Sequence, residues 1–66
     1  MFSSDHLRRA RQEAGLTQER LADLVGVSWR SVSRWETGEG APSVEVLVRI
    51  AEATGKQIDY FIEALA

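Results

Sequence analysis

Residues 17–38 read TQERLADLVGVSWRSVSRWETG, from Thr17 to Gly38, and the punctuation of this stretch decides the architecture. Thr17 and Ser28 each stand directly before a helix-forming run, where a hydroxyl accepts a hydrogen bond from a free N–H of the first turn. Helices are therefore predicted over Gln18–Val25 and Trp29–Glu36. Only Gly26, Val27 and Ser28 separate them, and so short a turn forces the second helix to cross the first steeply. Gly26 enters the left-handed region without a Cβ penalty, as a residue just past a helix end must. Leu21, Ala22 and Val25 form the inner face of one helix, Val32 and Trp35 that of the next. Ala22 is small enough for close approach, and Val27 and Val32 fill the angle between the two.

Outward from this pair, Gly15, Gly38, Gly40, Pro42 and Gly55 cut the rest of the chain into helix-sized pieces. A first helix is predicted over Asp5–Ala14, capped by Ser3 or Ser4, with Leu7, Ala10, Arg11 and Ala14 on one face. A fourth is predicted over Val44–Thr54, capped by Ser43, with Val44, Leu47, Ile50 and Ala51 inward. Val44, Val46, Val48 and Ile50 suggest a strand, but Leu47 spoils the alternation and Ala51, Glu52 and Ala53 favour helix. A fifth is predicted over Ile58–Leu65 from Ile58, Phe61, Ile62 and Leu65 at helical spacing. The expected fold is an all-α bundle of five helices, one domain over residues 1–66.

A chain of 66 residues with 44% apolar content has material for one core, burying about 60% of its unfolded surface. There are no cysteines, and His6 is the single histidine, so neither a disulfide framework nor a metal site is expected, and no cofactor. No run approaches the ~20 apolar residues of a membrane span, which makes the cytoplasm the expected location. Ser28, Ser31 and Ser33 have no histidine near them in the sequence, and a domain this small offers no cleft, so an enzyme is not expected. The net charge of −2 is unevenly spread. Residues 8–34 hold six arginines against three acids, and residues 35–66 hold two cations against six acids. The local field decides whether a face attracts phosphate, and the basic segment contains the helix pair.

Leu16-Thr17-Gln18, Leu21-Ala22, Gly26-Val27-Ser28, Val32-Ser33, Trp35-Glu36, Gly38 and Pro42-Ser43, at these spacings, resemble the phage lambda repressor-like, XRE-type helix-turn-helix family. The resemblance covers nearly the whole chain. It implies a transcriptional regulator, a repressor, that binds double-stranded operator DNA with the helix from Trp29 to Glu36 in the major groove. Trp29, Arg30, Ser33 and Arg34 are then the outward, base-reading positions. Arg30 and Arg34, four apart, share a face, and an arginine grips guanine O6 and N7 with two parallel bonds. Arg30 reaches either a base or a phosphate. Trp29 presses on a thymine methyl, covers a sugar, or folds back to pack. Gln18 in similar proteins bonds a phosphate. Thr17 and Ser28, at the two helix starts, bring backbone N–H groups toward phosphates, and Arg20 adds positive charge nearby. Glu36 is expected to be buried against Arg11 as a structural ion pair.

The chain departs from the family pattern in three places. Glu39 stands in a loop that often carries a lysine, so a phosphate anchor is missing. Arg20 replaces a glutamate that often completes a capping box. Thr54, Lys56 and Gln57 make the joint before the last helix more polar. Family members bind near-palindromic sites as dimers, and Tyr60, Ile62 and Leu65 are the expected contacts of a homodimer, unless Ile62 and Leu65 only close the core. The domain is either complete or the N-terminal part of a longer regulator. The acidity, Glu39 and Trp29 also fit a protein-interaction module of the same fold, an antitoxin or coactivator-like adaptor.

Overall fold

The computed structural model describes residues 1–63. Four α-helices follow one another, α1 Ser4–Glu13, α2 Gln18–Val25, α3 Trp29–Glu36 and α4 Val44–Thr54, and then a 3-10 turn over Ile58–Phe61. Every α-helix starts at a hydroxyl cap: Ser3 accepts from the His6 N–H, Thr17 from Arg20, Ser28 from Ser31 and Ser43 from Val46. Each cap satisfies a donor that the helix itself leaves unpaired.

α2 lies at the centre, packed on α3 and α4, and α1 closes the structure against α3, α4 and the 3-10 turn. The core consists of Leu7, Ala10, Leu21, Ala22, Val25, Val32, Leu47, Ile50, Ala51 and Phe61. Ala22 and Val25 are buried where α2 meets its neighbours, and Gly26 ends the helix at φ 78°, its N–H donating to the Ala22 carbonyl. That left-handed residue turns the chain sharply enough for α3 to cross α2 after Val27 and Ser28.

The chain ends are fastened to each other. The Ser3 N–H donates to the Phe61 carbonyl at 2.7 Å and the Glu63 N–H to the Met1 carbonyl at 2.6 Å, around an antiparallel bridge between Phe2 and Ile62. His6 Nδ1 lies 2.6 Å from the Tyr60 carbonyl oxygen, and its ring stacks on Tyr60 with centroids 4.8 Å apart. A carbonyl only accepts, so Nδ1 carries the proton.

The structure corrects several expectations. Where a fifth α-helix was expected over Ile58–Leu65, a four-residue 3-10 turn stands, and Ala64, Leu65 and Ala66 lie outside the described residues. Gln57 precedes the turn without a side-chain cap, and the Ile62 backbone is extended, drawn out by its pairing with Phe2. α1 runs one residue earlier than predicted, and Ala14, expected inward, is its exposed C-terminal cap. Val44, expected in the core stripe, is 75% exposed. Trp35, expected inside, is half-buried. Val32 and Glu36 take the inner face of α3, and at roughly 100° per residue Trp35 falls to its flank.

Candidate nucleic-acid interface

α3 carries one buried line and one open one. Val32 and Glu36 are buried, while Arg30 and Arg34 are exposed. At 3.6 residues per turn both arginines stand about 160° from Val32, one on either side, so together they form the face farthest from the core. Among the described residues neither enters an ion pair, and neither does the exposed Arg20 on α2. Arg9 on α1 is likewise exposed and enters no ion pair among the described residues, whereas two other arginines of the segment are held. Arg8 is held by Asp5 at 2.8 Å, and Arg11 by Glu36 at 2.6 Å.

The remaining expected base-reading residues occupy the flanks. Trp29, the first residue of α3, is 50% exposed and stands outside the core cluster, which disfavours the reading in which it folds back to pack. Ser33, expected outward, is half-buried. Ser28 caps α3, and its Oγ lies 3.2 Å from the Ser31 Oγ.

The starts of α2 and α3 both leave donors open. Thr17 takes the Arg20 N–H with its hydroxyl and the Leu21 N–H with its carbonyl. Among the described residues the N–H groups of Gln18 and Glu19 have no protein partner. Ser28 likewise takes the N–H groups of Ser31 and Val32, leaving those of Trp29 and Arg30 open. Unpaired N–H groups at the positive end of a helix favour an anion.

Glu36 gathers three elements. Arg11 Nε reaches its Oε2 at 2.6 Å and Arg11 Nη2 its Oε1 at 3.1 Å, while Arg11 Nη1 donates to the Leu16 carbonyl at 2.7 Å. Gln18 Nε2 donates to the same Oε1 at 3.1 Å. Each nitrogen of the Arg11 guanidinium thus makes a hydrogen bond, and no buried side-chain polar atom among the described residues lacks a partner. The half-buried Gln18 amide is spent partly inside the protein, a contact the sequence reading missed. The signal was available: a buried carboxylate has four lone-pair sites, and Arg11 fills only part of them.

Two features oppose phosphate. Glu39 is exposed just beyond α3, its N–H tied to the Arg34 carbonyl at 2.8 Å. Glu19 sits in the first turn of α2. Away from this face, Lys56 Nζ lies 2.8 Å from Glu13 Oε1 and 4.8 Å from the centroid of the Tyr60 ring. The hydrogen bond with Lys56 and its charge hold the Glu13 carboxyl below its ordinary value, and the same bond raises Lys56. Among the described residues no group of three or more His, Asp or Glu could hold a metal, and no helix is long and apolar enough to cross a membrane.

Known proteins resemble this chain in sequence and in fold. A family profile described as helix-turn-helix matches residues 7–61. The cryptic phage CTXphi transcriptional repressor RstR of Vibrio cholerae is 40% identical over 59 residues, 89% of this chain and 53% of its own. The chain therefore spans about half the length of that relative. The crystal structure of the P22 c2 repressor in complex with synthetic operator 9T superposes with a TM-score of 0.88 at 28% identity, covering 96% of both chains. The restriction-modification controller protein C.AhdI of Aeromonas hydrophila gives 0.82 at 29% identity, covering 89% of both.

Proposed function

Because the chain belongs to the helix-turn-helix family, we propose that it binds double-stranded DNA sequence-specifically as a transcriptional repressor, with α3 in the major groove. One observation carries the reading. Arg30 and Arg34 stand exposed on the face of α3 opposite Val32, and among the described residues neither has an ion-pair partner. A guanidinium left open in this way is available for guanine edges or phosphates. The likeness to a repressor crystallised on its operator supports the same placement. Trp29 and Ser33 flank the arginines as further base-side contacts. The open N–H groups after Thr17 and Ser28, the second Gln18 amide proton and Arg20 meet the phosphates. Arg11 and Glu36 hold the frame on which these groups sit. Phosphate contacts set the register of the helix, and base contacts set the sequence.

A single small module makes few contacts, and a homodimer on half-sites about 34 Å apart, or a multiple of that, supplies the rest. Of the three expected dimer contacts, Ile62 is 42% exposed beside the paired chain ends. Tyr60 is engaged by His6 and Lys56, and Leu65 lies outside the described residues.

Selection of bound sequences from a random DNA pool tests the proposal. The expected product is a symmetric motif with guanines in each half. Recovery of no sequence at low salt overturns it and favours the second reading, an interaction module of the same fold. Glu39 at the end of α3 is the observation on that side.

A further inference from the structure

The two tryptophans of α3 stand at equal angles from its buried line and are used differently. At 3.6 residues per turn Trp29 and Trp35 each lie about 60° from Val32, one on either side. Trp35 packs against the core, whereas Trp29, 50% exposed, does not. Among the described residues the Trp29 ring joins no aromatic pair and no cation–π contact. Of the large apolar side chains that the described residues leave exposed, it is the one on α3. Its surroundings are those of the candidate interface. The open N–H groups of Trp29 and Arg30 lie at its root, and the exposed Arg30 follows about 100° round the helix. An indole has one donor and no acceptor, so it is poorly equipped to read the polar pattern of a base edge. What it offers is a broad apolar face.

We propose that Trp29 reads a pyrimidine 5-methyl group in the major groove, so that DNA affinity responds to cytosine-5 methylation as well as to thymine. The inference rests on the proposed docking of α3 and names what one residue of that helix recognises. The 5-methyl is the apolar feature that a base edge presents in the major groove, and an apolar side-chain face is its match. Thymine and 5-methylcytosine carry the methyl on the same ring carbon. They differ at position 4, a carbonyl acceptor in thymine and an amino donor in cytosine. A side chain that hydrogen-bonds to position 4 tells them apart, whereas an indole lying against the methyl does not. Where a guanine gripped by Arg30 or Arg34 follows that pyrimidine, a thymine–guanine step and a methylated cytosine–guanine step present the same methyl beside the same guanine. The sugar is the other surface an indole could cover, but a sugar contact carries no sequence information and is blind to the methyl.

The test uses the 66-residue protein and the duplex recovered by selection from the random pool. Each thymine of a half-site is replaced in turn by uracil, which removes the methyl and nothing else, and each cytosine by 5-methylcytosine. One position is expected to respond, by about four-fold in affinity for the single methyl group. With a cytosine–guanine pair at that position, methylating the cytosine is expected to raise affinity by the same factor. Trp29→Ala is expected to bind the methylated and unmethylated duplexes equally while keeping the native Tm, and Trp29→Gln repeats the measurement if the alanine variant loses its fold. Arg34→Ala is expected to bind more weakly with the methyl effect intact, which separates the indole from the arginine stems. A scan in which no thymine and no cytosine responds to its methyl overturns the proposal. So does a methyl effect that survives both Trp29 substitutions. Weaker binding of Trp29→Ala to every duplex, with the methyl effect retained, assigns the indole to a sugar and overturns it too. Recovery of no sequence from the pool overturns the DNA reading and this inference together, whereas a selected duplex without a methyl effect overturns this inference alone.

Discussion

Glu36 and Arg11 lie 25 residues apart in sequence and meet through two hydrogen bonds, Nε to Oε2 at 2.6 Å and Nη2 to Oε1 at 3.1 Å. The Glu36 side chain is 3% exposed and that of Arg11 13%. Removing one partner leaves the other charge buried and uncompensated, which costs about 3–5 kcal/mol. Glu36→Ala is expected to lower Tm by on the order of 12 °C or more, and Arg11→Ala to do the same. A melt of Glu36→Ala within a degree or two of the native protein contradicts this burial.

Arg30 and Arg34 are expected to separate by how they act on DNA. If Arg34 grips a guanine, Arg34→Ala costs about 1–3 kcal/mol on the selected site and relaxes the preference at one base pair. If Arg30 meets a phosphate, Arg30→Ala weakens all sequences alike and flattens the salt dependence by about 0.9 in slope. Binding isotherms at several salt concentrations, on selected and scrambled duplexes, distinguish the two. Both arginines are exposed, so the native Tm is expected in both variants, and unchanged DNA affinity in both removes α3 from the interface.

The parts legible in the sequence were those fixed by neighbours along the chain. α2, α3 and α4 have the predicted bounds because Thr17, Ser28 and Ser43 cap them and Gly26 and Gly55 end α2 and α4 in the left-handed region. The last element was misread because Ile58 and Phe61, three apart, suit a 3-10 turn as well as an α-helix. What chose between them was pairing with Phe2, some sixty residues away, which no local pattern records. His6 against Tyr60 and Lys56 against Glu13 were missed for the same reason. At the candidate interface the positions on α3 were readable from helical phase, but the bond from Gln18 to Glu36 joins the first residue of α2 to the last of α3 and needed the crossing angle.

Gly26 is expected to tolerate no Cβ without loss. Its φ of 78° is left-handed, but an added Cβ meets only Arg49 Nη1 at 3.8 Å, an ordinary contact. The cost of Gly26→Ala is therefore backbone strain, about 1–2 kcal/mol. Thermal melts should show a fall on the order of 4–16 °C, and no change would mean that the turn relaxes away from the left-handed conformation.

Lys56 and Glu13 predict a pH dependence with two edges. Glu13 is lowered from its ordinary 4.5, so its contribution is present above that value and is lost as pH falls through the lowered one. Lys56 is raised from 10.5, so its contribution is present below that value and is lost as pH rises through the raised one. Between the edges the native protein is expected to be slightly more stable than Lys56→Met, with the two melting curves converging at both extremes. The gap is small because the pair is open to solvent. A difference that persists in strong acid has another origin, such as loss of the lysine stem from the Tyr60 ring.

Glu39 offers the clearest route to a tighter complex. The backbone there is fixed, with Gly38 at φ 90° folding the chain back and the Glu39 N–H donating to the Arg34 carbonyl at 2.8 Å. The side chain is exposed at the end of the helix whose other face carries Arg30 and Arg34. If α3 docks in the major groove as proposed and this loop meets the sugar-phosphate backbone, a carboxylate there opposes binding. Glu39→Lys keeps the backbone contact and replaces a repelling charge by an attracting one. Affinity for all duplexes is expected to rise, selected and scrambled alike, since phosphate contacts carry no sequence information. The salt dependence should steepen by about 0.9 in slope, one further phosphate neutralised. Titrations of both proteins from low to moderate salt measure this. An unchanged slope with native stability places residue 39 away from the phosphates and requires a different docking angle for α3.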